Sequence, residues 1–117
     1  MKKILIVDDN FDDLKALETV LAQGGFVVGG VSKADRVINL LDEVHYDLVI
    51  LDINMPSLSG YDLIKILKEK PSRELKIGFV TITPKKHVEH IEQLDLFIQK
   101  PFDAQEVLKQ VKELLVE

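Results

Sequence analysis

Ile4-Leu5-Ile6-Val7-Asp8-Asp9-Asn10 is the stretch on which the fold turns. Four consecutive apolar residues without polar alternation describe a strand covered on both faces, as inside a parallel sheet. The run then stops on two carboxylates. The pattern recurs at Leu48-Val49-Ile50-Leu51-Asp52, again apolar throughout and again closed by an acid. Between the two, Asp12 to Gln23 carries Leu14, Leu17 and Leu21 at helical spacing, and Gly24-Gly25 supplies the stop. Phe26 to Val31 reads as a weaker strand, because Gly29 and Gly30 interrupt it as suits a sheet edge or a bend. Ala34, Val37, Ile38 and Leu41 mark one face of a second helix.

Beyond Asp52 the turn Asn54-Met55-Pro56-Ser57-Leu58-Ser59-Gly60 leads to a third helix carrying Leu63, Ile64 and Leu67. Ile77 to Thr81 predicts a fourth strand, and His87 to Leu94 a short fourth helix with Val88 and Ile91 on one side. Leu96-Phe97-Ile98 is a fifth strand. After the turn Lys100-Pro101-Phe102, the stripe Ala104, Val107, Leu108, Val111, Leu114 and Leu115 marks an amphipathic fifth helix. Five strand–helix units require an α/β fold, (βα)5: a doubly wound parallel sheet with right-handed crossovers and helices on both faces.

Length and composition agree. At roughly 150 residues per domain, 117 residues predict a single domain spanning 1–117. A 46% apolar content suffices for a buried core and excludes the disordered class. The net charge of −5 repels phosphate backbones and predicts no direct nucleic-acid binding. Without cysteine there is neither a disulfide framework nor a thiolate metal site. The apolar run after Met1-Lys2-Lys3 is too short for a signal peptide or a membrane span, so a cytoplasmic protein without membrane insertion is expected.

Open sheets of this kind gather functional groups outside the carboxyl ends of their strands. If strands 1 and 3 are neighbours, Asp8, Asp9 and Asp52 share one crevice, where three like charges repel unless a cation intervenes. Mg2+, which takes oxygen ligands from one or two carboxylates and from phosphate groups, suits such a set. Lys100, just past the fifth strand, would offset part of the acid and hold a phosphoryl oxygen, and its bond to Pro101 at a tight turn is compatible with the cis form. Thr81 ends the fourth strand with a hydroxyl. Taken singly, each residue has a plainer role: the acids as caps or turn residues, Lys100 as a solvated charge, Thr81 as a β-branched strand residue. The joint pattern favours the site. A flavin phosphate would be repelled by Asp8-Asp9-Asn10-Phe11-Asp12-Asp13, and an aspartyl phosphatase would need a second acid where Asp52 is followed by Ile53-Asn54. His45, His87 and His90 read as solvated side chains, and Met55-Pro56 and Gly60 as loop chemistry.

Ile4 to Asn10, Asp47 to Pro56, Gly60, Thr81 and Lys100-Pro101-Phe102 together resemble the receiver domain of two-component response regulators, over Lys3 to Glu117. The resemblance implies strand order 2-1-3-4-5 and Asp52 as the phosphoacceptor. It implies Mg2+ held by Asp9, Asp52 and the backbone carbonyl of Asn54, with Asp8 assisting. Lys100 would contact the phosphoryl group, and Thr81 and Phe97 would form the switch. The implied partners are a sensor histidine kinase or phosphotransfer protein as donor and a downstream protein target, with a homodimer through the fourth helix, fifth strand and fifth helix. Such a domain promotes its own phosphorylation and dephosphorylation and is not a conventional enzyme.

Three departures from the pattern carry expectations. Ile82 is bulky where a small residue is usual, which predicts slow transfer or hydrolysis. The interval from Thr81 to Lys100 is short and lacks the usual Gly-Ala pair, so the fourth helix is expected to differ. A shifted register would make Thr83 the switch hydroxyl, although Pro84 after it and the run Ile77 to Val80 favour Thr81. With Thr81 in that role, Asn54 and Thr83 flank the phosphoryl group and tune dephosphorylation. The alternative function is an interaction module that has kept the fold and dispensed with phosphorylation.

Overall fold

The structure, a computed structural model, describes residues 1–54, 62, 65, 75–89 and 91–116. Five strands form one sheet: β1 (Lys3–Val7), β2 (Val27–Val31), β3 (Leu48–Asp52), β4 (Lys76–Thr81) and β5 (Leu96–Gln99). All pairings are parallel and the order is β2-β1-β3-β4-β5, as expected. The described helices are α1 (Phe11–Gln23), α2 (Val37–Glu43) and the C-terminal α3 (Ala104–Leu114).

The unbroken apolar strands are buried because both faces are covered. On one face Leu5, Val7, Val49, Leu51, Ile77 and Phe79 pack with Val37 and Leu41 of α2. On the other, Ile4, Ile6, Leu48, Ile50, Val80 and Ile98 pack with Leu14, Leu17 and Leu21 of α1 and Val107 and Val111 of α3. The two sets alternate along each strand, as the twofold period of a pleated chain requires. β3 lies at the centre and is buried from Leu48 to Asp52. β2, with its two glycines, is an edge strand. α1 starts at Asn10, whose side chain accepts from the Asp13 N–H, and stops at Gly24, followed by Gly25 at φ 99°, a conformation that favours glycine.

The fourth crossover differs from expectation. In place of a short helix from His87 to Leu94, the chain makes two 3-10 turns, Lys85–His87 and Ile91–Gln93. Val88 between them is extended and drops into the core, with Ile91 and Leu94 packed beside it. The physical reason is spacing: three apolar anchors in a short polar connection are satisfied by tight turns that plant them on the core, and Lys85-Lys86-His87 gives no apolar stripe for a longer helix. The expected third helix, Leu63, Ile64 and Leu67, lies outside the described residues, as do Met55, Pro56, Gly60 and His90. Asp62 and Lys65 are helical and exposed.

Candidate functional site

Register places the site. Val7 of β1 pairs with Leu51 of β3, so the next residues, Asp8 and Asp52, emerge side by side at the carboxyl ends of the two central strands. This is where the chain, having turned to β2 on one side of β1, returns to β3 on the other. Asp9 follows Asp8 on the exposed lip. One carboxylate oxygen from each of Asp8, Asp9 and Asp52 lies within 4.8 Å of the others. Lys100 arrives from the far side of the sheet. Its backbone N–H donates to the Thr81 carbonyl at 2.7 Å, continuing the β4–β5 pairing by one residue, and its bond to Pro101 is cis.

The Lys100 ammonium lies 3.0 Å from Asp8 Oδ2, 3.4 Å from Asp52 Oδ2 and 2.9 Å from Asp13 Oδ2. Burial alone would lower its pKa. Hydrogen bonds to Asp13 and Asp8 and the charges of Asp52 and Asp8 outweigh that and hold the ammonium well above the usual lysine range. Asp8 is fully buried, and desolvation pushes its carboxyl up to about 6 against the opposing Asn10 N–H and Lys100 contacts. Asp8 Oδ1 accepts from the Asn10 N–H at 2.9 Å and from Lys100 Nζ at 3.3 Å, whereas the buried Oδ2 receives no hydrogen bond, its 3.0 Å approach to Lys100 being an ion pair without hydrogen-bond alignment. A buried carboxylate oxygen with a spare acceptor direction, in a cluster where acids outnumber cations, fits a hard oxygen-seeking ion such as Mg2+.

Asp52 is oriented from two sides. Its Oδ1 accepts from the Asn54 N–H at 2.9 Å and its Oδ2 faces Lys100. Thr81, completely buried, ends β4 beside it, and its hydroxyl oxygen accepts from Asn54 Nδ2 at 2.9 Å and from the Thr83 N–H at 3.0 Å. Asn54 Nδ2 also reaches Thr83 Oγ1 at 3.2 Å. The expected neighbours of the phosphoryl group, Asn54, Thr81 and Thr83, thus form one hydrogen-bonded set. Ile82, 70% exposed, stands beside them at the rim. Phe97, partly buried, pairs in register with Phe79 and packs on the core face that holds α2.

Asp13 was not among the sequence candidates, yet it makes the shortest contact to the Lys100 ammonium. The signal available was the Asn10…Asp13 spacing, a cap residue followed three positions later by an acid, which puts Asp13 in the first turn of α1 directly above the end of β1. Conversely, His45 and His87 stay out of the site: His45 is exposed and lies 3.4 Å from Asp47, and His87 is exposed on its 3-10 turn.

Residues 4–112 match the response regulator receiver domain family. The chain is 33% identical over 121 residues to the response regulator SaeR of Staphylococcus aureus, an alignment covering 98% of this chain and 51% of SaeR. It thus spans about half the length of the curated relatives it matches. Among solved structures it is similar to the response regulator TrrA of Thermotoga maritima in complex with Mg2+-BeF (29% identity, TM-score 0.86, covering 98% of this chain and 100% of that one). The BeF3-activated receiver domain of DrrB is similar too (29%, TM-score 0.87, 100% and 99%). So is the non-phosphorylated HemR receiver domain of Leptospira biflexa (26%, TM-score 0.86, 100% and 96%).

Proposed function

The chain belongs to the response regulator receiver domain family, and on that premise we propose that Asp52 is its phosphoacceptor in a two-component or phosphorelay system. The observation that carries this is the buried Asp52 carboxylate, fixed by the Asn54 N–H and facing Lys100 inside a three-acid cluster. Asp9, Asp52 and the Asn54 backbone carbonyl are the residues that would hold Mg2+, with Asp8 assisting. When bound, the ion supplies the positive charge that lets a cluster of carboxylates accept an anionic phosphoryl group.

The rest is positioning and charge, which is most of what phosphoryl transfer asks of a protein. An Asp52 oxygen attacks phosphorus, and the bond to the donor's imidazole nitrogen or acyl oxygen breaks with its electron pair going to the leaving group. Lys100 then faces the new phosphoryl oxygens. Thr81, which in the resting site only accepts hydrogen bonds, keeps its own hydroxyl proton and donates it to one of those oxygens. That shift vacates space beside β4 and β5, and Phe97 turns inward to fill it, converting a local charge event into a changed surface around β5 and α3. Asn54 and Thr83 tune the lifetime of the phosphoryl group through their bonds to Thr81, and Ile82 at the rim slows the approach of donor and water.

The donor is a histidine kinase or phosphotransfer protein, and the output passes through a protein target or a second copy docked on the switched face. The site promotes its own phosphorylation and dephosphorylation without acting as a conventional enzyme. Among the described residues no helix is long and apolar enough to cross a membrane, and we place the protein in the cytoplasm. Titration with Mg2+ and beryllofluoride, followed by NMR, tests the reading. The Thr81 and Phe97 resonances are expected to shift together in the wild type and to stay fixed in Asp52→Asn. Unchanged Thr81 and Phe97 signals in the wild type would favour a module that binds partners without phosphorylation.

A further inference from the structure

Asp13 has no part in the scheme above, yet its Oδ2 stands closer to Lys100 Nζ than any oxygen of Asp8 or Asp52, at 2.9 Å against 3.0 and 3.4 Å. We propose that Asp13 is a positioning residue that holds the Lys100 ammonium in the resting site and must yield it to the incoming phosphoryl group, which raises the donor concentration needed to phosphorylate Asp52. The proposal rests on the reading of Asp52 as phosphoacceptor.

An ammonium has three N–H donors, and Lys100 faces three carboxylates. It hydrogen-bonds Asp8 Oδ1 at 3.3 Å and Asp52 Oδ2 at 3.4 Å and pairs with Asp13 Oδ2 at 2.9 Å, so an incoming phosphoryl oxygen has to displace one of these partners. Asp8 cannot do so cheaply: its side chain is fully buried, and an abandoned charge there would lack solvent. Asp52 is the attacking group. Asp13, 31% exposed at the first turn of α1, can swing its carboxylate into water at little cost. Its placement is built in, since the Asp13 N–H donates to the Asn10 side chain that caps the helix, fixing the turn from which the carboxylate reaches Lys100. Asp13 also adds a fourth negative charge to the cluster of Asp8, Asp9 and Asp52, and an anionic donor meets that charge at the mouth.

The test compares wild type, Asp13→Asn, Asp13→Glu and Asp12→Asn. Asparagine at 13 keeps the capped N–H, and Asp12 is an exposed acid one residue away that serves as a control for net charge. Acetyl phosphate with Mg2+ is the donor; its acyl-phosphate P–O bond breaks, acetate leaves with the electron pair, and the phosphoryl group bonds to Asp52. Initial rates are read by intact mass against acetyl phosphate concentration. Asp13→Asn is expected to lower the half-saturating concentration about two- to fivefold, the effect of one partly screened ion pair, with the maximal rate nearly unchanged. Asp13→Glu restores wild-type behaviour and Asp12→Asn matches wild type. The 15N resonance of the Lys100 ammonium, recorded without donor, moves in Asp13→Asn alone.

Equal effects of Asp12→Asn and Asp13→Asn would overturn the proposal by reducing it to general charge, and so would a higher half-saturating concentration in Asp13→Asn. Absence of labelling in the wild type would overturn the phosphoacceptor reading and the competition with it. An unmoved Lys100 resonance in Asp13→Asn, with the wild type labelled normally, would overturn the inference about Asp13 alone.

Discussion

Asp8 shows how one buried side chain links the site to stability. In the absence of a bound cation its carboxyl is pushed up to about 6 by desolvation, from an ordinary 3.8. A raised carboxylate pKa means that the folded chain holds its proton where the unfolded chain has released it. Below about pH 4 both states are protonated and Asp8 contributes nothing; as pH rises from about 4 to about 6 the stability of the fold falls, and above that the full penalty remains. Asp8→Asn is therefore expected to be more stable than wild type by roughly 1–3 kcal/mol at pH 7, as measured by urea unfolding without divalent ions, with the gain vanishing near pH 4. Added Mg2+ narrows the difference at pH 7 by stabilising only the chain that keeps its carboxylate. A wild type more stable than Asp8→Asn at pH 7 without Mg2+ would show that Lys100 more than compensates the burial of Asp8.

At the scale of elements, the strands carry the positional information and the connections adapt to it. Gly78 of β4 pairs in register with Leu96 of β5, and a Cβ added there would lie 2.9 Å from Leu96 Cβ and 3.3 Å from its carbonyl oxygen. Neither neighbour is the free end of a flexible side chain, so β5 itself must shift. Gly78→Ala is expected to lower stability by roughly 1–3 kcal/mol in urea unfolding, and an unchanged midpoint would contradict the close packing of these two strands. The strands were legible because Ile4–Val7 and Leu48–Leu51 are apolar without alternation, a pattern that burial on both faces demands. Their acids were legible because each follows such a run. The fourth crossover was not, since Val88 and Ile91 fit a helical stripe as readily as two separate turns, and only the core they enter decides between these. Asp13 escaped notice for a related reason: an acid in the first turn of a helix is stabilising by itself, and its reach to Lys100 depends on a contact between residues far apart in sequence.

For the molecule as a whole, a doubly wound sheet brings Asp8, Asp52, Thr81 and Lys100 from four strand ends to one edge, and the described residues show them within hydrogen-bonding or ion-pair distance of shared partners. The account depends on that convergence making Asp52 reactive toward a phosphoryl donor. The most direct measurement is the intact mass of the chain after incubation with acetyl phosphate, with Mg2+ present and with Mg2+ removed by chelation. One phosphoryl group, labile to hydroxylamine, is expected on the wild type with Mg2+ present, and none without Mg2+ or in Asp52→Asn. An unmodified wild type under saturating donor and Mg2+, or equal labelling of Asp52→Asn, would contradict it.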